Sequence, residues 1–120
     1  MSRVLIVEDD ALIGMLLEQI LEANGHDVCA IAMTESEAVD AAIQHRPDLM
    51  IVDGHLTHGS GIDAVEQVLE HWPLPHVFVS GDPNGIRARR PDAVVVRKPF
   101  REAELVGAIA AALQSGPSDA

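Results

Sequence analysis

Two uninterrupted apolar runs, Val4-Leu5-Ile6-Val7 and Leu49-Met50-Ile51-Val52, each end at carboxylates: Glu8-Asp9-Asp10 after the first and Asp53 after the second. A short run without polar alternation suits a strand buried on both faces, the kind found in parallel sheets. If the two strands are neighbours and parallel, their carboxylates converge at one edge of the sheet. Like charges crowded together raise one another's pKa and destabilise an empty site. Such a cluster is expected to hold a cation or to do chemistry.

The rest of the chain alternates strand and helix patterns. Arg3 to Val7 reads as a strand, and Leu12, Ile13, Leu16, Leu17, Ile20 and Leu21 then recur at helical spacing until Asn24-Gly25. Val28 to Ala32 reads as a second strand. Thr34-Glu35-Ser36-Glu37 has the form of a capping box, opening a helix expected to turn Ala38, Val39, Ala42 and Ile43 inward. Asp48 to Val52 is a third strand, and Ile62, Val65, Val68 and Leu69 mark a third helix halted near Pro73. His76 to Val79 and Ala93 to Val96 read as the fourth and fifth strands, with a last helix over Glu102 to Leu113 whose stripe is Leu105, Val106, Ile109 and Leu113. Asp82-Pro83-Asn84-Gly85 is turn chemistry, so at most a short fourth helix is expected around Ile86 to Arg89, in a mobile segment from Ser80 to Pro91.

This alternation implies an α/β, doubly wound, five-stranded parallel sheet covered on both faces. Ligands in such sheets sit beyond the carboxyl ends of the strands, and each polar feature of interest falls there: Glu8-Asp9-Asp10, Asp53, Ser80 and Lys98. The 120 residues suit one domain, expected over 1–114 with a flexible tail at 115–120. A net charge of −11 argues against direct nucleic-acid binding, which needs a basic face. The single Cys29 excludes an intramolecular disulfide and a multi-Cys zinc site. With no apolar stretch of membrane-spanning length and no signal peptide in view, the expectation is a cytoplasmic domain without membrane contact.

Lys98 is the only lysine beside seven arginines. A compact ammonium at a strand end suits a phosphoryl oxygen or a carboxylate, although a surface lysine is the plain alternative. Pro99 behind it could take a cis bond. His55 and His58 lack a nearby cysteine and flank Leu56 in a loop, which argues against zinc. Asp10 could reach a metal through water, but its place ahead of the first helix favours an N-cap.

The set Val7-Glu8-Asp9-Asp10, Asp53, Ser80-Gly81 and Lys98-Pro99-Phe100, in this order and spacing, resembles the receiver domain of two-component response regulators over essentially the whole chain. The resemblance implies a flavodoxin-like (βα)5 fold with a shortened fourth helix. It assigns Asp53 as phosphoacceptor, and Glu8, Asp9, Asp53 and the backbone carbonyl of His55 as Mg²⁺ ligands. Ser80 becomes the switch hydroxyl, and Lys98 the lysine that meets the phosphoryl group. His55, Gly81 and Asp82 become positions that tune the phosphate's lifetime, with a His55–Asp82 contact and two solvated loop residues both open. The implied partners are a histidine kinase or phosphotransfer protein as donor and a protein target downstream. That target is expected on the face of the fourth helix, fifth strand and fifth helix, which includes Arg87, Val95, Pro99 and Phe100. The chemistry is protein self-modification rather than turnover of a substrate.

Departures from the family are informative. Val95 stands where receivers carry Tyr or Phe, and the chain has no Tyr. Leu56-Thr57 replaces the usual Met-Pro. Phe78-Val79-Ser80-Gly81 partly resembles a subgroup with Phe-Ala-Thr-Gly on the fourth strand, found with an atypical class of histidine kinases in alphaproteobacteria; Phe78 as plain core filling is the alternative. Arg87, Arg89 and Arg90 read either as a solvated loop or as a docking patch, and Trp72 as an anchor at the end of the third helix. Two other functions compete with this one: an unphosphorylated pseudo-receiver that only binds partners, and an aspartyl-nucleophile phosphatase resembling haloacid dehalogenases. The second lacks its Asp-x-Asp after the first strand. Dinucleotide binding lacks Gly-x-Gly-x-x-Gly.

Overall fold

A computed structural model of the chain describes residues 2–114. The expected tail at 115–120 lies outside the described residues. Five strands alternate with five helices: β1 Arg3–Val7, α1 Ala11–Ala23, β2 Asp27–Ala32, α2 Glu35–His45, β3 Leu49–Asp53, α3 Gly61–Leu69, β4 His76–Ser80, α4 Pro83–Arg89, β5 Val95–Arg97 and α5 Glu102–Gln114. All strands are parallel, in the order β2-β1-β3-β4-β5. The doubly wound sheet expected from the sequence is therefore observed. β1 and β3 are direct neighbours, with Val7 opposite Val52. The order reverses at β1, so the crevice at the carboxyl ends of β1 and β3 is the switch point where ligands of this architecture bind.

Strand alternation splits the core in two. Leu5, Val7, Met50, Val52 and Phe78 pack toward one face with Ala38, Ala42, Val65, Val68 and Ile86 of α2, α3 and α4. Val4, Ile6, Leu49, Ile51, Val77 and Val79 pack toward the other with Leu17, Leu21, Leu105 and Ile109 of α1 and α5. With both faces covered, β3 is buried along its whole length, Asp53 included. Phe78 is fully buried in the first cluster, with the His76 ring edge-on at 5.4 Å.

The helix starts follow local chemistry. Asp10 caps α1, its carboxylate accepting from Leu12 N at 2.9 Å and Ile13 N at 3.2 Å. Thr34 caps α2, accepting from Glu37 N at 3.1 Å, while the Glu37 carboxylate reaches back to Met33 N at 2.9 Å. The α2 C-terminus turns at Arg46 in the left-handed region (φ 48°), and the Arg46 guanidinium lies 4.4 Å over the Trp72 ring, fixing the end of α3 by a cation–π contact.

Several expected details differ. α4 begins at Pro83 rather than Ile86, because Asp82 caps it and Pro83 occupies the first turn, where a missing N–H costs nothing. β5 starts at Val95 rather than Ala93, since Ala93 N is committed to a turn with Arg90 O at 3.0 Å. Ile43 was expected inward but is 39% exposed, as are Leu12 (78%), Leu16 (48%), Val106 (37%) and Leu113 (37%) in greater or similar measure. Helical spacing alone does not tell an apolar stripe's centre from its margin. Among the described residues no helix is long and apolar enough to cross a membrane.

Candidate functional site

The fold brings Glu8, Asp9, Asp53, Ser80 and Lys98 to one edge of the sheet. Glu8 leaves β1 directly and is buried at 1% exposure, and Asp53 ends β3 at 8%. Lys98 follows β5, its main-chain N–H donating to Ser80 O at 2.9 Å. Its ammonium lies 3.2 Å from Asp53 Oδ2 and 3.4 Å from Glu8 Oε1. The Lys98–Pro99 peptide is cis.

One carboxylate oxygen from each of Glu8, Asp9 and Asp53 falls within 4.8 Å of the other two. Hard, anionic oxygens clustered this way suit Mg²⁺, which takes few carboxylates and keeps several waters. The electrostatics agree. Burial, opposed by the Asp10 N–H and reinforced by the Asp53 anion, raises the Glu8 carboxyl to about 7. One ammonium does not compensate the crowded anions. Burial works against the Lys98 charge, but Asp53 and Glu8 outweigh it and raise the Lys98 pKa.

Asp9 is held differently. Thr57, in the loop between β3 and α3, donates both its hydroxyl and its main-chain N–H to Asp9 Oδ2, each at 2.6 Å. The Thr57 hydroxyl is the largest cause of the lowered Asp9 pKa. Asp53 Oδ1 accepts from His55 N at 3.0 Å, so each oxygen of Asp53 is oriented by a separate donor.

Ser80 is buried at 2% exposure, and its Oγ accepts from Asp82 N at 2.9 Å. A β-carbon on Gly81 would meet no heavy atom within 4 Å, so this side of the site is open. Gly54 is confined: a β-carbon there would lie 2.8 Å from Ile86 Cδ1. At Gly61 a β-carbon would collide with Asp53 O, so the turn into α3 passes against the main chain of the central acid.

A cleft of about 260 Å³ between the β3–α3 loop and α4 is lined by both His55 and Asp82. The two are not hydrogen-bonded; the Asp82 carboxylate accepts from Gly85 N at 3.3 Å. Two of the three arginines read as a docking patch are engaged within the chain. Arg89 lies 2.8 Å from Asp63 and 2.7 Å from Glu66, and Arg90 lies 3.9 Å from Glu66. Arg87 is exposed and in no ion pair among the described residues. Val95 and Phe100 are half-buried, and Pro99 is exposed. Thr57, Gly54 and Ile86 were not legible as parts of the site. Thr57 stood out only as a departure from a proline, yet that departure supplies the N–H that grips Asp9.

The profile of the response regulator receiver domain matches residues 4–110. The chain is 38% identical over 116 residues to the phyllosphere-induced regulator PhyR of Methylorubrum extorquens, covering 93% of this chain and 43% of that protein. It is 35% identical over 111 residues to the transcriptional regulatory protein PdtaR of Mycobacterium tuberculosis, covering 89% and 54%. It thus spans about half the length of these curated relatives. Its fold superposes on the solution structure of the Erythrobacter litoralis PhyR receiver domain with a TM-score of 0.91 at 34% identity, covering 99% of this chain and 95% of that one. It also superposes on Bartonella quintana PhyR, described as an anti-anti-sigma factor, with a TM-score of 0.81 at 36% identity, covering 95% and 47%. On its motifs, its sheet order and these matches, the chain belongs to the response regulator receiver domain family of two-component signalling.

Proposed function

We propose that the chain accepts a phosphoryl group on Asp53 from the phosphohistidine of a histidine kinase or phosphotransfer protein, in a Mg²⁺-dependent way, and signals by a conformational change. The observation that carries this reading is the Lys98 ammonium set between Asp53 Oδ2 at 3.2 Å and Glu8 Oε1 at 3.4 Å. An Asp53 oxygen attacks phosphorus, a P–O bond forms, and the P–N bond of the donor breaks. Its electron pair returns to the imidazole, which takes up a proton. Phosphoryl transfer of this kind needs mainly positioning and charge compensation. Lys98 would move from the Asp53 carboxylate to an oxygen of the new phosphoryl group, keeping a cation where negative charge accumulates.

Glu8, Asp9, Asp53 and the His55 backbone carbonyl would hold Mg²⁺. When bound, the ion supplies charge neutralisation at the phosphoryl oxygens. Ser80 would give up Asp82 N and turn its hydroxyl to the phosphoryl group. His55 and Asp82 line the cleft between the β3–α3 loop and α4, Gly81 follows Ser80, and we assign these three positions to the phosphate's lifetime. Downstream, the description of the Bartonella relative as an anti-anti-sigma factor favours a protein target. We place that contact on the α4–β5–α5 face, with Arg87, Val95, Pro99 and Phe100.

Incubation with acetyl phosphate and Mg²⁺ followed by intact mass measurement tests the assignment. The expected result is a single phosphate adduct that Asp53→Asn abolishes. An adduct that persists in Asp53→Asn moves the acceptor elsewhere, and no adduct at all favours a partner-binding module whose site is not used.

A further inference from the structure

We propose that Thr57 is a positioning residue for the metal site: its paired hydrogen bonds hold Asp9 in the orientation that offers its second carboxylate oxygen to Mg²⁺. The inference rests on the metal-site reading above and names a residue that reading does not contain. Thr57 puts two donors on one oxygen, Oδ2, at 2.6 Å each. A carboxylate gripped twice at one oxygen loses its freedom to rotate, and its other oxygen takes no part in that grip. In this gripped state Asp9 already stands within reach of Glu8 and Asp53, one oxygen of each lying within 4.8 Å of the others. The contact with Thr57 and the acidic cluster thus coexist in one arrangement of Asp9. Asp9 needs such a support more than its neighbours do. Glu8 and Asp53 are buried and share Lys98, whereas Asp9 is half-exposed and has no ion pair among the described residues.

The loop that supplies the grip is fastened at its far end. Glu35, at the start of α2, accepts from Ser60 N at 2.9 Å and from Gln67 Nε2 at 2.7 Å. Its own main-chain N–H donates to His58 O at 3.1 Å. Thr57 is thus carried by a loop anchored to a second helix, and Asp9 inherits that anchoring. Hydrogen bonds that orient a metal's ligands are commonly worth ten- to a hundred-fold in affinity.

Calorimetric titration of MgCl₂ into the wild type, Thr57→Val, Thr57→Ser and Asp53→Asn tests the inference, with circular dichroism to verify the fold of each. Thr57→Val keeps the shape and the N–H but removes the hydroxyl; it is expected to weaken Mg²⁺ binding about ten-fold. Thr57→Ser restores the hydroxyl and is expected to bind close to wild type. Equal or tighter binding by Thr57→Val overturns the inference, tighter binding making the contact a competitor of the metal. Weak binding by Thr57→Ser as well as Thr57→Val overturns it too, since packing by the threonine methyl would then be the cause. If the wild type gives no saturable heat, or the same heat as Asp53→Asn, the metal site itself is wrong. That outcome is distinct from a metal-binding wild type matched by Thr57→Val.

Discussion

The main-chain N–H of Asp82 donates to Ser80 Oγ at 2.9 Å, and the same Asp82 caps α4 through Gly85 N at 3.3 Å. The hydroxyl proposed to turn toward the phosphoryl group is thus tied directly to the residue that starts α4. With Val95 in place of an aromatic ring, this tie offers a route from Asp53 to the surface. A phosphoryl mimic such as beryllium fluoride is expected to shift and broaden the amides of residues 82–89, read by relaxation dispersion. Ser80→Ala is expected to leave those amides nearly unresponsive. A segment that stays rigid and unchanged when the wild type binds the mimic would sink this route.

Gly54 and Ile86 form a second link between the site and α4. A β-carbon on Gly54 would lie 2.8 Å from Ile86 Cδ1 and 3.6 Å from Ser80 Oγ. Overpacking of this kind costs about 1–3 kcal/mol, so Gly54→Ala is expected to lower stability by that order in urea unfolding. The obstruction is the tip of a flexible side chain. Gly54→Ala/Ile86→Val should therefore recover part of the loss, being less destabilised than the sum of the two single changes. Gly61→Ala should show no such rescue, because the atom it meets is the Asp53 carbonyl oxygen of the main chain. Strict additivity of Gly54→Ala and Ile86→Val would contradict the packing described.

The strands and their polar ends were legible because largely apolar runs ended at chemistry: Val4 to Val7 at Glu8, Leu49 to Val52 at Asp53, and Val77 to Val79 at Ser80. A parallel sheet gathers such ends by geometry, so local pattern carried global information. The residues that hold the site were less legible because their roles are tertiary. Thr57 meets Asp9 across 48 positions of sequence, and no spacing rule reports a loop hydroxyl folded back over a different strand end. Asp82-Pro83 failed for another reason. The same dipeptide serves as a turn or as a helix cap followed by Pro in the first turn, and here Asp82 accepts from Gly85 N and caps α4.

Asp10 separates capping from metal binding. Its carboxylate is committed to Leu12 N at 2.9 Å and Ile13 N at 3.2 Å. Loss of an N-cap carboxylate costs about 1 kcal/mol. Asp10→Ala is expected to lower the denaturation midpoint accordingly while leaving the Mg²⁺ affinity and the phosphate adduct as in wild type. A ten-fold or greater loss of Mg²⁺ affinity would instead bring Asp10 into the metal's surroundings.

Glu8 is expected to contribute to the pH dependence of stability in the absence of metal. Its carboxyl rises from 4.5 to about 7, chiefly by burial and then by the Asp53 anion. A folded-state pKa above the unfolded value means that the fold favours the protonated form. The resulting stability is complete below about pH 4.5 and is lost as pH rises to about 7, a change on the order of 3 kcal/mol. Burial lowers the His76 pKa, and that group acts in the opposite sense, losing stability as pH falls below its unfolded value. The comparison is therefore made against Glu8→Gln, in which His76 is retained. Thermal unfolding in chelator at about pH 5 and about pH 8 is expected to show the wild type losing more stability with rising pH than Glu8→Gln. Millimolar Mg²⁺ is expected to bind the cluster in its ionised form, so its stabilising effect should grow across the same window, with about 2.7 kcal/mol gained when the ion exceeds its Kd a hundred-fold. A wild type whose pH profile parallels that of Glu8→Gln would remove the case for a strained, buried carboxylate beside Asp53.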